Sequence, residues 1–446
     1  MNRLDVAWVP YPGLLACVLV TIGCRTETPV AFEENLVHVK KWELQSGSPM
    51  DQVLRDSQWA LAELFGTPDE PRIPAVMEKD EDLKSLVALE RLQAASGDEL
   101  LEGRGLYRQH CARCHGITGN GRGETAALIE PYPRDFRPGI FKFKSTRRAS
   151  KPLKSDLAKV IRYGIAGSSM VAEYRLDDDT LGPLPEEAIE KLVDYVIYLS
   201  IRGETERALI DEAALEFDLE GGERLIDPSL AASGSEEFAD QWELIEEIVE
   251  EVAVSWLEAE DEIVEVEIPE GLPIPGSHEE LVAMLAGDSG EMLTQSIERG
   301  RELFVGTVAS CSKCHGTNGR GDGQEADYDD WTKDWTTRIG LKPDQQSDLI
   351  PLIARGGLPP RTIKPRNFEE GVFRGGASPE DLYRRLNQGI AGTPMPAVTL
   401  VSGQLEEEDI WHLINFVRSL EKPAAPAEPT TALSPGTGEA LVAERD

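Results

Sequence analysis

The sequence predicts a mainly α-helical chain in which one domain type is used twice, joined by an acidic, partly helical linker. Three observations carry this. A five-residue motif occurs as Cys111-Ala112-Arg113-Cys114-His115 and again as Cys311-Ser312-Lys313-Cys314-His315. Landmarks downstream of each copy recur in the same order. Each copy then ends in apolar residues at helical spacing, Leu192, Tyr195, Val196 and Leu199 in one and Leu413, Phe416, Val417 and Leu420 in the other.

Taken in order, residues 1–24 read as an export signal: Arg3 supplies the charge, Gly13 to Ile22 is apolar, and Gly23-Cys24 follows. A small residue before a cysteine resembles a bacterial lipoprotein cleavage box, which makes Cys24 the candidate lipidation site. A plain signal or an uncleaved anchor is the alternative, although Pro10 and Pro12 would break a membrane-spanning helix. All three imply export, to the periplasmic side of a bacterial membrane, held there by a lipid anchor or the N-terminal segment.

Residues 25–96 form a helical N-terminal extension, with helices expected over 50–64 and 80–95 on either side of a proline-rich stretch. The first repeated domain spans residues 97–203. Its opening helix carries Gly103 and Tyr107 ahead of Cys111, and its closing helix spans 186–200. In the linker, residues 204–290, the stripe Ile245, Ile248, Val249, Val252 and Trp256 marks an amphipathic helix, and the alternation Val264, Val266, Ile268 marks a short strand. The second domain spans residues 291–421 and opens with Gly300 and Phe304, the counterparts of Gly103 and Tyr107. A glycine on the first helix lets an aromatic of the last helix approach its backbone. Residues 422–446 are rich in Pro, Ala and Thr and read as a disordered tail.

The charge is strongly negative, formally -36 over 446 residues, which sets nucleic acid aside as a partner because phosphates would be repelled. Between Arg202 and Asp288 acidic residues far outnumber basic ones, so the linker holds most of the excess. Arg134 to Arg162 is basic instead, and reads either as a docking face for an acidic partner or as a solvated face balancing the linker. Beyond the two motifs the only cysteines are Cys17 and Cys24, so none is left for a structural disulfide.

Two thiols separated by two residues, with a histidine immediately after them, form the attachment pattern of a c-type haem. Cys111 and Cys114, and Cys311 and Cys314, would each add across the two vinyl groups of one porphyrin, and His115 or His315 would then meet the iron. Two such motifs imply two covalently bound haem c groups. The repeat also extends past them. Pro133-Arg134-Asp135-Phe136 recurs as Pro365-Arg366-Asn367-Phe368, and Gly164-Ile165-Ala166-Gly167-Ser168-Ser169-Met170 as Gly389-Ile390-Ala391-Gly392-Thr393-Pro394-Met395. Electron-transfer haems held by histidine on one side often take methionine on the other. Met170 is the only methionine between His115 and the end of its closing helix, and Met395 is the only one between His315 and Leu420. Both are therefore candidate axial ligands, against the ordinary role of a core methionine.

Other residues weigh less. His110 belongs to the opening helix, His412 reads as a half-buried packing residue, and His38 and His278 read as surface residues. Arg134 and Arg366 are candidates for the haem propionates, since guanidinium pairs bidentately with carboxylate. The copies differ in length: the stretch from His315 to Met395 is longer than the one from His115 to Met170. The extra length lies between Gly323 and Pro360 and includes Tyr328, Trp331 and Trp335. These aromatics would cover a haem edge, meet a partner, or form a packed surface insertion.

Both repeats resemble class I cytochrome c domains, on the strength of the two motifs, the two methionine loops, Pro131-Tyr132-Pro133-Arg134-Asp135-Phe136 and Phe141-Lys142-Phe143-Lys144-Ser145-Thr146. The stretch from Tyr107 to Met170 is similar to cytochrome c subunits of bacterial respiratory complexes, and the long acidic linker resembles di-haem chains of planctomycetes. The resemblance covers about half of the chain. It implies single-electron transfer between a quinol-oxidising complex and a terminal oxidase or other acceptor, with redox proteins or respiratory-complex subunits as partners. It also implies His115, Met170, His315 and Met395 as the iron ligands. The alternative is a di-haem peroxidase-type enzyme with one open haem. A pair of zinc or thiol-redox sites would leave the repeated methionine loops unexplained.

Overall fold

The computed structural model describes residues 30–98, 102–172, 174–175 and 181–422. The expected export signal, with Cys17 and Cys24, and nearly all of the expected disordered tail lie outside them. The longest helices of the described residues are α1 (Leu36–Ser46), α2 (Asp51–Phe65), α3 (Lys154–Tyr163), α4 (Glu186–Glu216), α5 (Glu236–Leu257), α6 (Gly290–Val305), α7 (Pro379–Gln388) and α8 (Asp409–Ser419), with shorter helices between them. Strands are confined to two short antiparallel pairs among the described residues. None of the described helices is long and apolar enough to cross a membrane.

The first core is larger than one repeat. It joins the N-terminal extension through Val53, Leu61 and Phe65, the first repeat through Tyr107, Tyr195 and Tyr198, and the acidic segment through Ile245, Val249 and Trp256. The boundary expected at Gly203 falls inside α4. That helix continues past the closing turn predicted at Ser200 as far as Glu216, and buries Leu209, Ile210 and Ala213 against α1, α2 and α5. The segment expected as a linker is therefore packed. Its apolar stripe is buried against α4 and the N-terminal extension, and its glutamates Glu243, Glu247 and Glu250 face water. Ser235 caps α5 by accepting from the Phe238 N–H.

The helix expected over 80–95 is broken into short turns. Asp80 accepts from Asp82 N–H and Leu83 N–H and starts a new turn, while Ala88 N–H donates to Asp194 instead of continuing the helix. No strand forms over Val264 to Ile268. Val264 N–H does donate to Ser145 O at 2.9 Å, and Arg147 N–H to Glu262 O at 2.9 Å, so this stretch ties the acidic segment to the first repeat.

The second core packs α6 across α8. A Cβ at Gly300 would overlap the His412 carbonyl and lie 2.8 Å from the Phe416 Cβ, so the crossing requires glycine. Phe304 and Phe416 meet there with ring centroids 5.1 Å apart. The first repeat makes the matching aromatic contact, Tyr107 to Tyr195 at 5.0 Å, by a different backbone route. Gly103 sits in a turn at φ +74° with open space around it, and the chain becomes helical only from Leu106, passing through a π-helical turn at Arg108–Ala112. The glycine that allows close approach in this repeat is Gly203 on α4, where a Cβ would overlap the Arg137 backbone.

The two repeats also contact each other directly. Tyr132 donates to Pro359 O at 3.0 Å, Arg361 to Ile129 O and Ala127 O at 2.8 Å each, and Arg374 to Gly167 O at 2.9 Å. In the other direction Arg148 donates to Met395 O at 2.8 Å and Thr393 O at 3.0 Å, and Lys159 pairs with Asp381. The basic run of the first repeat is thus engaged within the chain, on the second repeat and on Glu204, Asp194 and Glu262.

Candidate functional site: two cysteine–histidine motifs on one cavity

Each motif ends in a tight reversal. Gly116 and Gly316 adopt φ +77° and +74°, conformations that suit glycine. Just beyond, the carbonyl of Gly119 accepts from Phe136 N–H at 2.8 Å, and that of Gly319 from Phe368 N–H at 2.8 Å. A Cβ at either Gly119 or Gly319 would come within 2.8 Å of that phenylalanine ring. The phenylalanine of the repeated Pro-Arg-Asp/Asn-Phe sequence is thereby placed on the histidine. His115 stacks on Phe136 at 4.8 Å and 16°, and His315 on Phe368 at 4.8 Å and 14°. A second phenylalanine continues each stack, Phe141 at 5.9 Å and Phe373 at 6.0 Å. In the first repeat Trp256 of α5 meets Phe141 edge-on at 6.0 Å, so the acidic segment reaches the histidine stack.

His115 Nδ1 lies 3.0 Å from the Arg134 carbonyl, which fixes Nδ1 as the protonated nitrogen and leaves the Nε2 lone pair free to ligate. Burial holds His115 below its ordinary range and lowers His315 to about 4, so both rings are neutral, the form that ligates metal. Burial likewise pushes Cys111 up to about 12 and Cys311 up to about 11. Both pairs of cysteines are free thiols.

The cysteines, the two histidines and the phenylalanines stacked on them line one cavity of about 1190 Å³. Cys111, Cys114, His115 and Met170 line it from one repeat, and Cys311, Cys314, His315 and Met395 from the other. The methionine loops match in detail. Ile165 N–H donates to Met170 O at 2.8 Å and Ile390 N–H to Met395 O at 3.2 Å. The Met170 and Met395 amides each donate to a nearby hydroxyl, of Ser168 and Thr393, at 3.2 Å. The Met170 loop is thus built like its counterpart.

Among the cations that line this cavity are Arg134 and Lys142 from the first repeat, and Arg366 and Arg374 from the second. Burial lowers Arg134 to about 9, against the pull of Asp329 and Asp135. Burial, and after it Arg134, lowers Lys142 to about 7, while Arg374 is lowered by burial and by Arg366. The Nε–H groups of Arg366 and Arg374 are buried and have no acceptor among the described residues. Arg366 does reach Glu370 at 2.9 Å through Nη2, on the rim. The seam between the repeats therefore holds more buried positive charge than protein carboxylate, which suits an occupant that brings its own carboxylates.

The residues present fit haem c: paired thiols, neutral imidazoles, a methionine on the same cavity, apolar stacks and unmatched cations; a carbonyl orients Nε2 at His115, whereas the His315 Nδ1 is buried with no partner among the described residues. Sequence reasoning names the cysteines, histidines, methionines, Arg134 and Arg366. It does not single out Phe136, Phe368, Lys142 or Arg374, although Phe136 and Phe368 recur within the repeated sequence. His412 is half-buried, with Nδ1 2.7 Å from Ser296 Oγ, and lies away from the cavity. His110 lines the cavity beside Cys111. His38, expected at the surface, is buried with Nε2 2.5 Å from Asp211, because the elongated α4 covers it. His278 is half-buried as well.

Comparison with known proteins gives a family match to each repeat. Residues 98–196 match cytochrome C oxidase, cbb3-type, subunit III, and residues 297–421 match cytochrome c. No curated protein matches the chain. Among solved structures, a chain of the Kuenenia stuttgartiensis reducing HAO-like protein complex is similar at 24% identity, covering 71% of this chain and 94% of its own, with a TM-score of 0.39. Each motif-bearing repeat thus matches a cytochrome c family, and the chain carries two domains of the type that binds haem c covalently and transfers electrons.

Proposed function

We propose that the chain is an exported, membrane-attached di-haem electron carrier. One haem c would be bound through Cys111 and Cys114, with His115 and Met170 as axial ligands. The second would be bound through Cys311 and Cys314, with His315 and Met395. The observation that carries this is the single cavity lined by both motifs and both methionine loops, since groups held in one chamber lie within easy range for electron exchange.

When bound, haem c supplies a one-electron iron couple, and methionine opposite histidine raises its potential. The protein's part is to orient and to exclude water. The Arg134 carbonyl orients His115, Phe136 and Phe368 pack the histidine faces, and Arg134, Lys142, Arg366 and Arg374 would receive the propionates. Electrons would pass singly from a quinol-oxidising complex to a terminal oxidase or another acceptor, with redox proteins or respiratory-complex subunits as partners. Export, with a lipid on Cys24 or an N-terminal anchor, is supported by the signal-like stretch that ends at Cys24 and by the attachment of haem c outside the cytoplasm. The net charge of -36 favours basic or mixed docking surfaces over nucleic acid.

A haemochrome spectrum of exported protein, set against protein concentration, tests the reading. Two covalent haems per chain are expected, and fewer than two overturns it. Hydrogen peroxide binding to the reduced protein would move the assignment to a peroxidase-type enzyme with one open haem.

A further inference from the structure

The second domain's insertion reaches back onto the first. Its short helix, Asp330–Asp334, starts where Asp329 accepts from Thr332 N–H at 2.8 Å. Asp330 N–H donates to Gly392 O at 3.3 Å, which pins the helix to the loop that carries Met395. Trp331 fills the space over Gly392, where any Cβ would overlap its ring. Across the domain boundary, the Arg134 guanidinium lies 3.4 Å from the centroid of the Trp331 ring, and Lys142 Nζ lies 5.9 Å from it. Arg134 is the residue whose carbonyl receives His115 Nδ1. One indole therefore touches the methionine loop of one candidate haem site and the residue that orients the histidine of the other.

We infer that Trp331 is a positioning residue that couples the two haem sites, holding Arg134 against the first site and backing the Met395 loop of the second. The first copy of the repeat is shorter between histidine and methionine and has no counterpart of this insertion, so a single insertion, supplied by the second domain, spans the two sites. A guanidinium stacked on an indole is kept from water, and its charge is felt more strongly by neighbouring groups than a solvated charge would be. That field would favour the electron-richer ferrous state of a haem bound at the first site. The inference rests on the two-haem reading above.

The test is spectroelectrochemical titration of the full-length holoprotein with Trp331→Ala, Trp331→Leu and Trp331→Phe, alongside Asp334→Asn. Haem content is measured on the same samples, so a protein with fewer than two haems fails the two-haem reading and not this inference alone. The W331A and W331L variants are expected to lower the first haem's midpoint potential, assigned by comparison with Met170→Ala, and W331F is expected to restore it towards the native value. The D334N variant loosens the insertion at a point away from the indole, and should leave that potential near native. W331L retains most of the apolar bulk and carries the test if W331A does not fold. An unmoved potential in W331A or W331L overturns the inference. So does a W331F shift as large as that of W331L, or a D334N shift as large as that of W331A.

Discussion

Replacing Asp334 with Asn isolates one of the ties between the second domain and the first. The Asp334 carboxylate accepts from Lys41 of α1 at 3.0 Å and from Arg207 of α4 at 3.1 Å, with 21% of its side chain exposed. Burial alone would raise its pKa, but Arg207 and Lys41 outweigh burial and bring it down to about 2 from an ordinary 3.8. At about 1.4 kcal/mol per unit, that difference stabilises the folded state at neutral pH by roughly 2 kcal/mol. The sign follows from protons bound. Between pH 2 and 3.8 the unfolded chain holds the proton more often than the folded one, so stability rises with pH across that window. The contribution is complete above it and is lost as pH falls through 2. Denaturant unfolding of native and D334N protein, followed by tryptophan fluorescence at pH 7 and pH 3, should show a deficit of about 2 kcal/mol at the higher pH and roughly half of that at the lower. A deficit under about 0.5 kcal/mol at pH 7, or one unchanged by acidification, would refute the tie as described.

The methionines and glycines give sharper local outcomes. Met170→Ala and Met395→Ala should each convert one haem to high spin in part and lower its potential, leaving the other haem's spectrum intact; an unchanged spectrum removes that residue as a ligand. Gly300→Ala drives a Cβ into the His412 carbonyl and should cost about 2–3 kcal/mol by denaturant titration, as overpacking does. Gly103→Ala meets no neighbour and should cost only about 1 kcal/mol for its positive φ, so equal costs at the two positions would contradict the different crossings described.

How far the sequence reaches depends on what kind of signal each part leaves. The motifs and the order of landmarks are local and repeated, so the cysteines and histidines can be named from the motif, and the methionines from elimination and their repeated loop. That both sets line one cavity is not local: it depends on contacts such as Arg148 to Met395 and Arg374 to Gly167, between residues far apart in the chain. The stripe through Ile245, Val249 and Trp256 is legible as an apolar helix face, but the surface it covers is not. Its glutamates give the segment the look of a linker, although it packs on the first core. His38 escapes sequence reasoning for a related reason. Its cover comes from the part of α4 beyond Ser200, where the apolar pattern of the closing helix is already complete. Gly103 and Gly300 occupy matching positions in the repeat, and only one serves the helix crossing, because the first repeat meets its closing helix through a π-helical turn.

The claim that both haems share one chamber is tested most directly by electron paramagnetic resonance of the fully oxidised protein. Two low-spin ferric haems facing one cavity should show signals broadened by magnetic dipole coupling, which sharpen when Cys311→Ala and Cys314→Ala together remove the second haem. A spectrum that equals the sum of the two single-haem variants, with no broadening, would place the haems apart and contradict the account.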